Sequence, residues 1–163
     1  NKALIIFGEV LFDCFADGSR VLGGAPFNVA WNLNALGTHH LLISRVGTDD
    51  LGRELLAAMS KRGLSTHGIQ LDSNHPTGIV DVTIENHEPH YNIVDSVAYD
   101  YIDKHSLPNL AQNGIIYHGS LALRHKTSRT ALQQLITQMD AQIFLDVNLR
   151  SPWWHKSLLQ RLI

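Results

Sequence analysis

A parallel α/β fold, with helices covering the faces of the sheet, is what this sequence predicts. Three observations carry that expectation. Ala3–Phe7 is an unbroken apolar run closed by Gly8, the pattern of a strand buried on both faces. Comparable apolar runs recur at residues 41–46, 115–117 and 143–147. The stretches between them have helical periodicity, and strand–helix–strand alternation makes successive strands parallel. A length of 163 residues suits one domain.

The elements follow in order. Gly23-Gly24-Ala25-Pro26 leads into a helix over 27–36, with Pro26 suited to the first helical position and Gly37 to the stop. Its apolar residues Phe27, Val29, Ala30, Trp31, Leu33 and Leu36 go most of the way round, which predicts a well-buried helix. Asp49 or Asp50 caps a second helix, in which Leu51, Leu55, Leu56 and Met59 share a face and which Gly63 ends. Thr127 or Ser128 caps a third, carrying Leu132, Leu135, Ile136 and Met139. Residues 78–85 read differently. Val80, Val82 and Ile84 alternate with Asp81, Thr83 and Glu85, so this strand has one wet face. A turn over 86–89 and a partner strand over 90–95 make it an antiparallel flap beside the parallel core.

Composition excludes several function classes. The chain is 44% hydrophobic and 17% charged, an ordinary globular mixture. No apolar run approaches the roughly 18–20 residues that span a bilayer, and the first residues turn polar too soon for a secretory signal. A formal net charge of −2, with Lys and Arg dispersed, offers no basic field for nucleic acid. Cys14, the single cysteine, excludes an internal disulfide and a thiolate zinc cluster, so a cytoplasmic location is expected. No histidine base stands at a telling distance from it, and it reads as a small buried side chain. His39, His40, His87 and His90 lack the carboxylate or cysteine company of a metal site. Trp153 and Trp154 read as a packing cluster. The chain opens on Asn1, and residues 157–163 read as a helix without a stop signal. It is therefore expected to be part of a longer protein.

Two glycines before a helix start let a ligand approach the backbone, and the free N–H groups there favour polar or anionic ligands. Asn28, in the first turn, brings a donor and an acceptor. The same residues also make an ordinary tight loop, but the spacing continues. Gly23-Gly24-x-Pro26-x-Asn28-x-Ala30 is followed by Gly37 after six residues and Gly47 after nine more. This resembles the N-terminal signature of the ribokinase-like (PfkB) carbohydrate kinases. Further segments fit: Gly8-Glu9-Val10-Leu11-Phe12-Asp13, Arg45-Val46-Gly47-Thr48-Asp49-Asp50-Leu51-Gly52, and Asp146-Val147-Asn148-Leu149-Arg150, the last resembling the fructokinase branch. The resemblance covers essentially the whole chain.

It implies a Rossmann-like, mainly parallel sheet with a small antiparallel β-lid, formed by residues of about 12–22 and 77–97. It also implies substrate-binding roles for Asp13, Gly23, Gly24, Asn28, Tyr91, Asn148 and Arg150. Asp13 is expected just past the first core strand, at the carboxyl edge of the sheet, where ligands of open α/β sheets bind. There its carboxylate can accept two sugar hydroxyls; alone, it reads as a solvated loop residue, and the resemblance reverses that. Asp146, Asn148 and Arg150 share one side if their segment stays extended, with a structural Asp146–Arg150 pair as the alternative. Tyr91 packs on the sugar or is a surface aromatic.

The implied cofactors are ATP and Mg²⁺, with a monovalent cation left open. The implied partners are a small-molecule sugar and a second copy joined through the lid, with no nucleic acid and no membrane. The family's Gly-Ala-Gly-Asp and Asn-x-x-Glu segments, which bring the catalytic base and the nucleotide site, do not occur here; neither does a Walker loop. Residues 1–163 therefore read as the N-terminal part of one domain, with no catalytic base and no metal ligand of its own, inactive alone. The reading is a fructokinase-like sugar kinase. A kinase of the same family for 2-keto-3-deoxygluconate, a nucleoside or an aminoimidazole riboside, and a short sugar-binding protein without catalysis, are the alternatives. A nicotinamide-binding dehydrogenase fits poorly, because no Gly-x-Gly-x-x-Gly follows the first strand.

Overall fold

The computed structural model describes residues 3–85, 88–149, 154, 156 and 157. Its centre is a parallel sheet of five strands in the order β5-β4-β1-β8-β9. These are β1 (Ala3–Phe7), β4 (Leu41–Gly47), β5 (Ile69–Asp72), β8 (Asn113–His118) and β9 (Asp140–Leu145). β1 lies between β4 and β8, and Ile5, Ile6 and Phe7 are at most 2% exposed. The two-residue period of a strand divides them. Ile6 joins Phe27, Leu42, Leu55 and Met59 under helices α1 (Ala25–Ala35) and α2 (Asp50–Lys61). Ile5 and Phe7 join Ile116, Leu132 and Leu135 under α3 (Lys126–Gln138). This is the predicted parallel layer architecture.

Three readings change in detail. β9 was expected to be buried, but among the described residues it is the outer strand, with Ile143 42% and Phe144 61% exposed. α1 buries Pro26, Phe27 and Ala30, while Leu36 lies past its last turn and is exposed. α3 starts earlier than read, with His125 at its N-cap and no side-chain cap bond. Ser128 is used tertiarily instead: its hydroxyl donates to the Tyr99 carbonyl (2.8 Å) and accepts from the Ile102 N–H (2.9 Å). β5, only four residues long, carries too short a pattern to be read. The expected helix over 157–163 and Trp153 lie outside the described residues, Ser157 apart; Trp154 is 43% exposed.

A second sheet has the order β3-β2-β6-β7, with β2 (Leu11–Phe15), β3 (Arg20–Gly23), β6 (Gly78–Glu85) and β7 (Glu88–Ile93). It was expected to be antiparallel and is mixed, because β2 and β6 run parallel. The large sheet explains this. β1 and β5 end at its same edge, and the chain enters β2 and β6 directly from them, so both leave in one direction. β6 and β7 form the expected hairpin, but β7 begins at Glu88, pairing Glu85 with Glu88 and Ile84 with Pro89. Pro89 is tolerated because β7 is an edge strand. Val80 and Val82 are buried as the alternation predicts, whereas Ile84, near the tip, is 74% exposed. No helix among the described residues is long and apolar enough to cross a membrane.

Candidate functional site

The carboxyl edge of the large sheet faces one side of the small sheet across a cleft of about 310 Å³. Glu9, Asp13, Gly24, Asn28, Tyr91 and Asn148 line it. Leu11, Val80, Ile93 and Leu121 give it an apolar wall. The cleft thus gathers the β1–β2 link, the start of α1, the hairpin and the loops after β8 and β9.

Asp13 does not sit past a core strand, as expected, but within β2, paired with Val21 and Val80. The chain turns out of the large sheet at Gly8 and begins a new strand at Leu11. Asp13 stands in a row with Val80 and Ile93 across three strands, all lining the cleft. Gly23 is buried beside it: a Cβ there would lie 3.0 Å from Asp13 Oδ2. Gly23 therefore leaves room for the carboxylate rather than forming the wall. Gly24 holds φ +102°, and a Cβ on it would meet the Glu9 carbonyl oxygen at 2.6 Å. Both facts restrict the position to glycine. Gly24 caps α1, and its carbonyl accepts from the Asn28 N–H at 2.9 Å. Asn28, one turn in, is exposed toward the cleft.

Tyr91 stands on β7 opposite Val82, 58% exposed at the rim. Asn148 reaches the cleft, but not by strand alternation: its φ is +21°, so the segment has left the extended conformation. Ser120 pins this loop by donating to the Val147 carbonyl at 2.8 Å. Asp146 is occupied elsewhere, accepting from the Tyr117 hydroxyl at 2.9 Å. Burial, and then this bond, push the Tyr117 phenol upward. Arg150 lies outside the described residues.

Sequence reasoning missed Glu9. It is 2% exposed, and burial pushes its carboxyl up to about 7, with the charge of Asp146 adding to the effect. The N–H groups of Glu9, Ala122 and Ala25 oppose that shift. The available signal was a lone carboxylate between Gly8 and the apolar run Val10-Leu11-Phe12.

Two brackets hold the small sheet against the core. Asp49 caps α2 by accepting from the Gly52 N–H (2.8 Å) and also accepts from the Thr77 N–H (2.8 Å) and hydroxyl (2.6 Å). Burial opposes ionisation of Asp49, but these bonds prevail and hold it below the usual carboxylate range. Thr77 immediately precedes β6. Gly47 and Gly52 make the bracket fit, since a Cβ on Gly52 would lie 2.0 Å from the Gly47 carbonyl. At the other end, buried Arg124 bonds both oxygens of Asp100 (2.7 and 2.8 Å) and the Val94 carbonyl (2.6 Å), just past β7. Asp95, Asp100 and His125 could together face a cation, but Arg124 already supplies positive charge there, and His125 bonds Asp95 at 2.7 Å. Cys14 is half-buried, and burial, followed by Asp81, raises its thiol, so nothing activates it.

The family model for pfkB family carbohydrate kinases matches residues 13–163. An uncharacterised sugar kinase from Pyrococcus horikoshii is 35% identical over 136 residues, covering 81% of this chain and 44% of that protein. A protein named probable fructokinase-5 from Arabidopsis thaliana is 31% identical over 173 residues, covering 94% of this chain and 53% of its own. The P. horikoshii structure in complex with ATP superposes with a TM-score of 0.85 at 30% identity, covering 98% of this chain and 58% of that one. The chain spans about half the length of the curated relatives it matches.

Proposed function

This chain belongs to the pfkB family of carbohydrate kinases, and from that premise we propose that it is the sugar-binding part of a fructokinase-like enzyme. The reaction moves the γ-phosphate of MgATP to a sugar hydroxyl. One observation carries the reading: the cleft sets the carboxyls of Asp13 and Glu9 beside the Asn28 amide and the start of α1. Such a set accepts and donates hydrogen bonds to a neutral polyol. Two carboxyls repel a triphosphate at this short range, so the nucleotide belongs outside the cleft. The described residues offer no phosphate-binding loop, and ATP, Mg²⁺ and any monovalent cation are assigned to the part of the protein beyond this chain.

In this reading residues 1–163 form part of a single domain, with lid segments at about 12–22 and 77–97. Asp13 accepts the sugar hydroxyls, with Gly23 clearing space for its carboxylate. Gly24 and Asn28 present the start of α1, Tyr91 closes the rim, and Asn148 and Arg150 face the sugar and the phosphate being transferred. Closing the hairpin over the sugar excludes water, which directs phosphoryl transfer to the sugar rather than to hydrolysis. Phe15 and Val21, on the cleft side of the small sheet but exposed beyond the cleft, suit pairing with a second copy. The enzyme works in the cytoplasm, and this chain alone is inactive.

The test is ADP release by the full-length protein with MgATP and a panel of fructose, 2-keto-3-deoxygluconate, a nucleoside and aminoimidazole riboside. Turnover highest with fructose supports the reading. Preference for another member reassigns the substrate within the family, and no turnover with any sugar overturns the kinase reading.

A further inference from the structure

Glu9 has a feature that neither the motif nor the fold requires. It lines the cleft while only 2% exposed, and its Oε2 has no hydrogen-bond partner among the described residues. Buried carboxyl oxygens are seldom left in this state, because the lost solvation is not recovered. The position is tightly fixed. The Glu9 carbonyl lies against Gly24, and the carboxyl stands beside Gly119, whose missing side chain leaves it clear (3.7 and 3.8 Å from where a Cβ would be). The N–H groups of Ala25 and Ala122 flank it from α1 and from the turn after β8. The titratable groups acting on it are Asp146 after β9, Tyr117 on β8 and Tyr99 in the turn at Ala98–Tyr101, and Asp13 on β2 shares its cleft. No cationic side chain is among the residues lining the cleft. A hydroxyl donor satisfies the spare oxygen whether the carboxyl is ionised or protonated; a cation satisfies only the ionised form.

We propose that Glu9 is a specificity-determining residue whose Oε2 accepts a hydrogen bond from one hydroxyl of the bound polyol. The ligand is then held by two carboxyls, Asp13 in the small sheet and Glu9 at the edge of the large one. A polyol lacking that hydroxyl leaves a buried acceptor unmatched and is rejected. This rests on the cleft being the sugar site.

Proton linkage tests it. The Glu9 carboxyl is already buried, so ligand binding adds little desolvation, while the donated bond favours ionisation. Fructose titrated calorimetrically into the full-length protein near pH 7, in two buffers of different ionisation heat, is expected to release part of a proton. Glu9→Gln is expected to abolish that release and to weaken binding about tenfold at pH 8, with a thermal midpoint no lower than that of the wild type. Wild-type binding without proton release, or Glu9→Gln binding fructose as tightly as wild type, overturns the proposal while leaving the sugar site standing. If Glu9→Gln does not fold, proton release by the wild type decides alone. Absence of binding by the wild type to any polyol of the panel overturns the sugar site, and this inference with it.

Discussion

The large and small sheets of this molecule are built on opposite terms. β1 is covered on both faces, and its last three side chains are essentially absent from the surface. The small sheet buries side chains only near its root, Leu11, Phe12, Val80 and Val82, and leaves Phe15, Val21 and Ile84 in solvent on strands that extend away from the core. The large sheet is therefore stabilised by its own packing. The small sheet depends on brackets at its roots, Asp49–Thr77 at the start of the hairpin and Arg124–Asp100–Val94 at its end. The cleft lies where the two meet, one wall rigid and the other tethered. This suits a site that opens to admit a ligand and closes to exclude water.

The difference is open to attack from both sides. The largest effect belongs to the core: Phe7→Ala is expected to cost about 3–5 kcal/mol, with denaturant melting still a single transition. Two transitions would mean that the small sheet folds independently. Arg124→Ala strips the countercharge from Asp100, which is fully buried, and is expected to cost about 3–5 kcal/mol. Hydrogen exchange should rise first in the hairpin at 88–95; uniform loss of protection would deny the bracket its local role. The Glu9 carboxyl is raised to about 7 in the folded state, so its native-state cost is absent below the usual carboxylate range and grows as pH rises toward 7. Relative to Glu9→Gln, the wild type should lose about 3 kcal/mol between pH 4 and pH 8. Parallel stability curves for the two proteins would contradict this. Smallest is Thr77→Ala, which removes a hydroxyl bond to the Asp49 cap and should cost about 1–2 kcal/mol, measured as a shift of the urea midpoint.

The same division governed what the sequence revealed. β1 was legible to the residue because a strand buried on both faces leaves a continuous apolar signature, and α2 announced its cap at Asp49 or Asp50, of which Asp49 serves. β2 and β3 are short, and their pairing is set by where the large sheet releases the chain. Local pattern therefore missed that Asp13 lies in a strand and that β2 and β6 run parallel. Asn148 was read correctly as near the cleft for an incorrect reason, since a left-handed turn rather than alternation takes it there. Glu9 stayed unread because its meaning depends on burial beneath Gly24, Gly119 and Ala122, which lie far apart along the chain.

The central claim is that the cleft between the sheets is the sugar site, with Asp13 as its principal acceptor. Equilibrium titration of fructose into the full-length protein and its Asp13→Ala variant, with ATP binding measured alongside, tests it most directly. The account predicts that the variant binds fructose at least about 100-fold more weakly and ATP as the wild type does. Equal fructose affinity in the two proteins would contradict it.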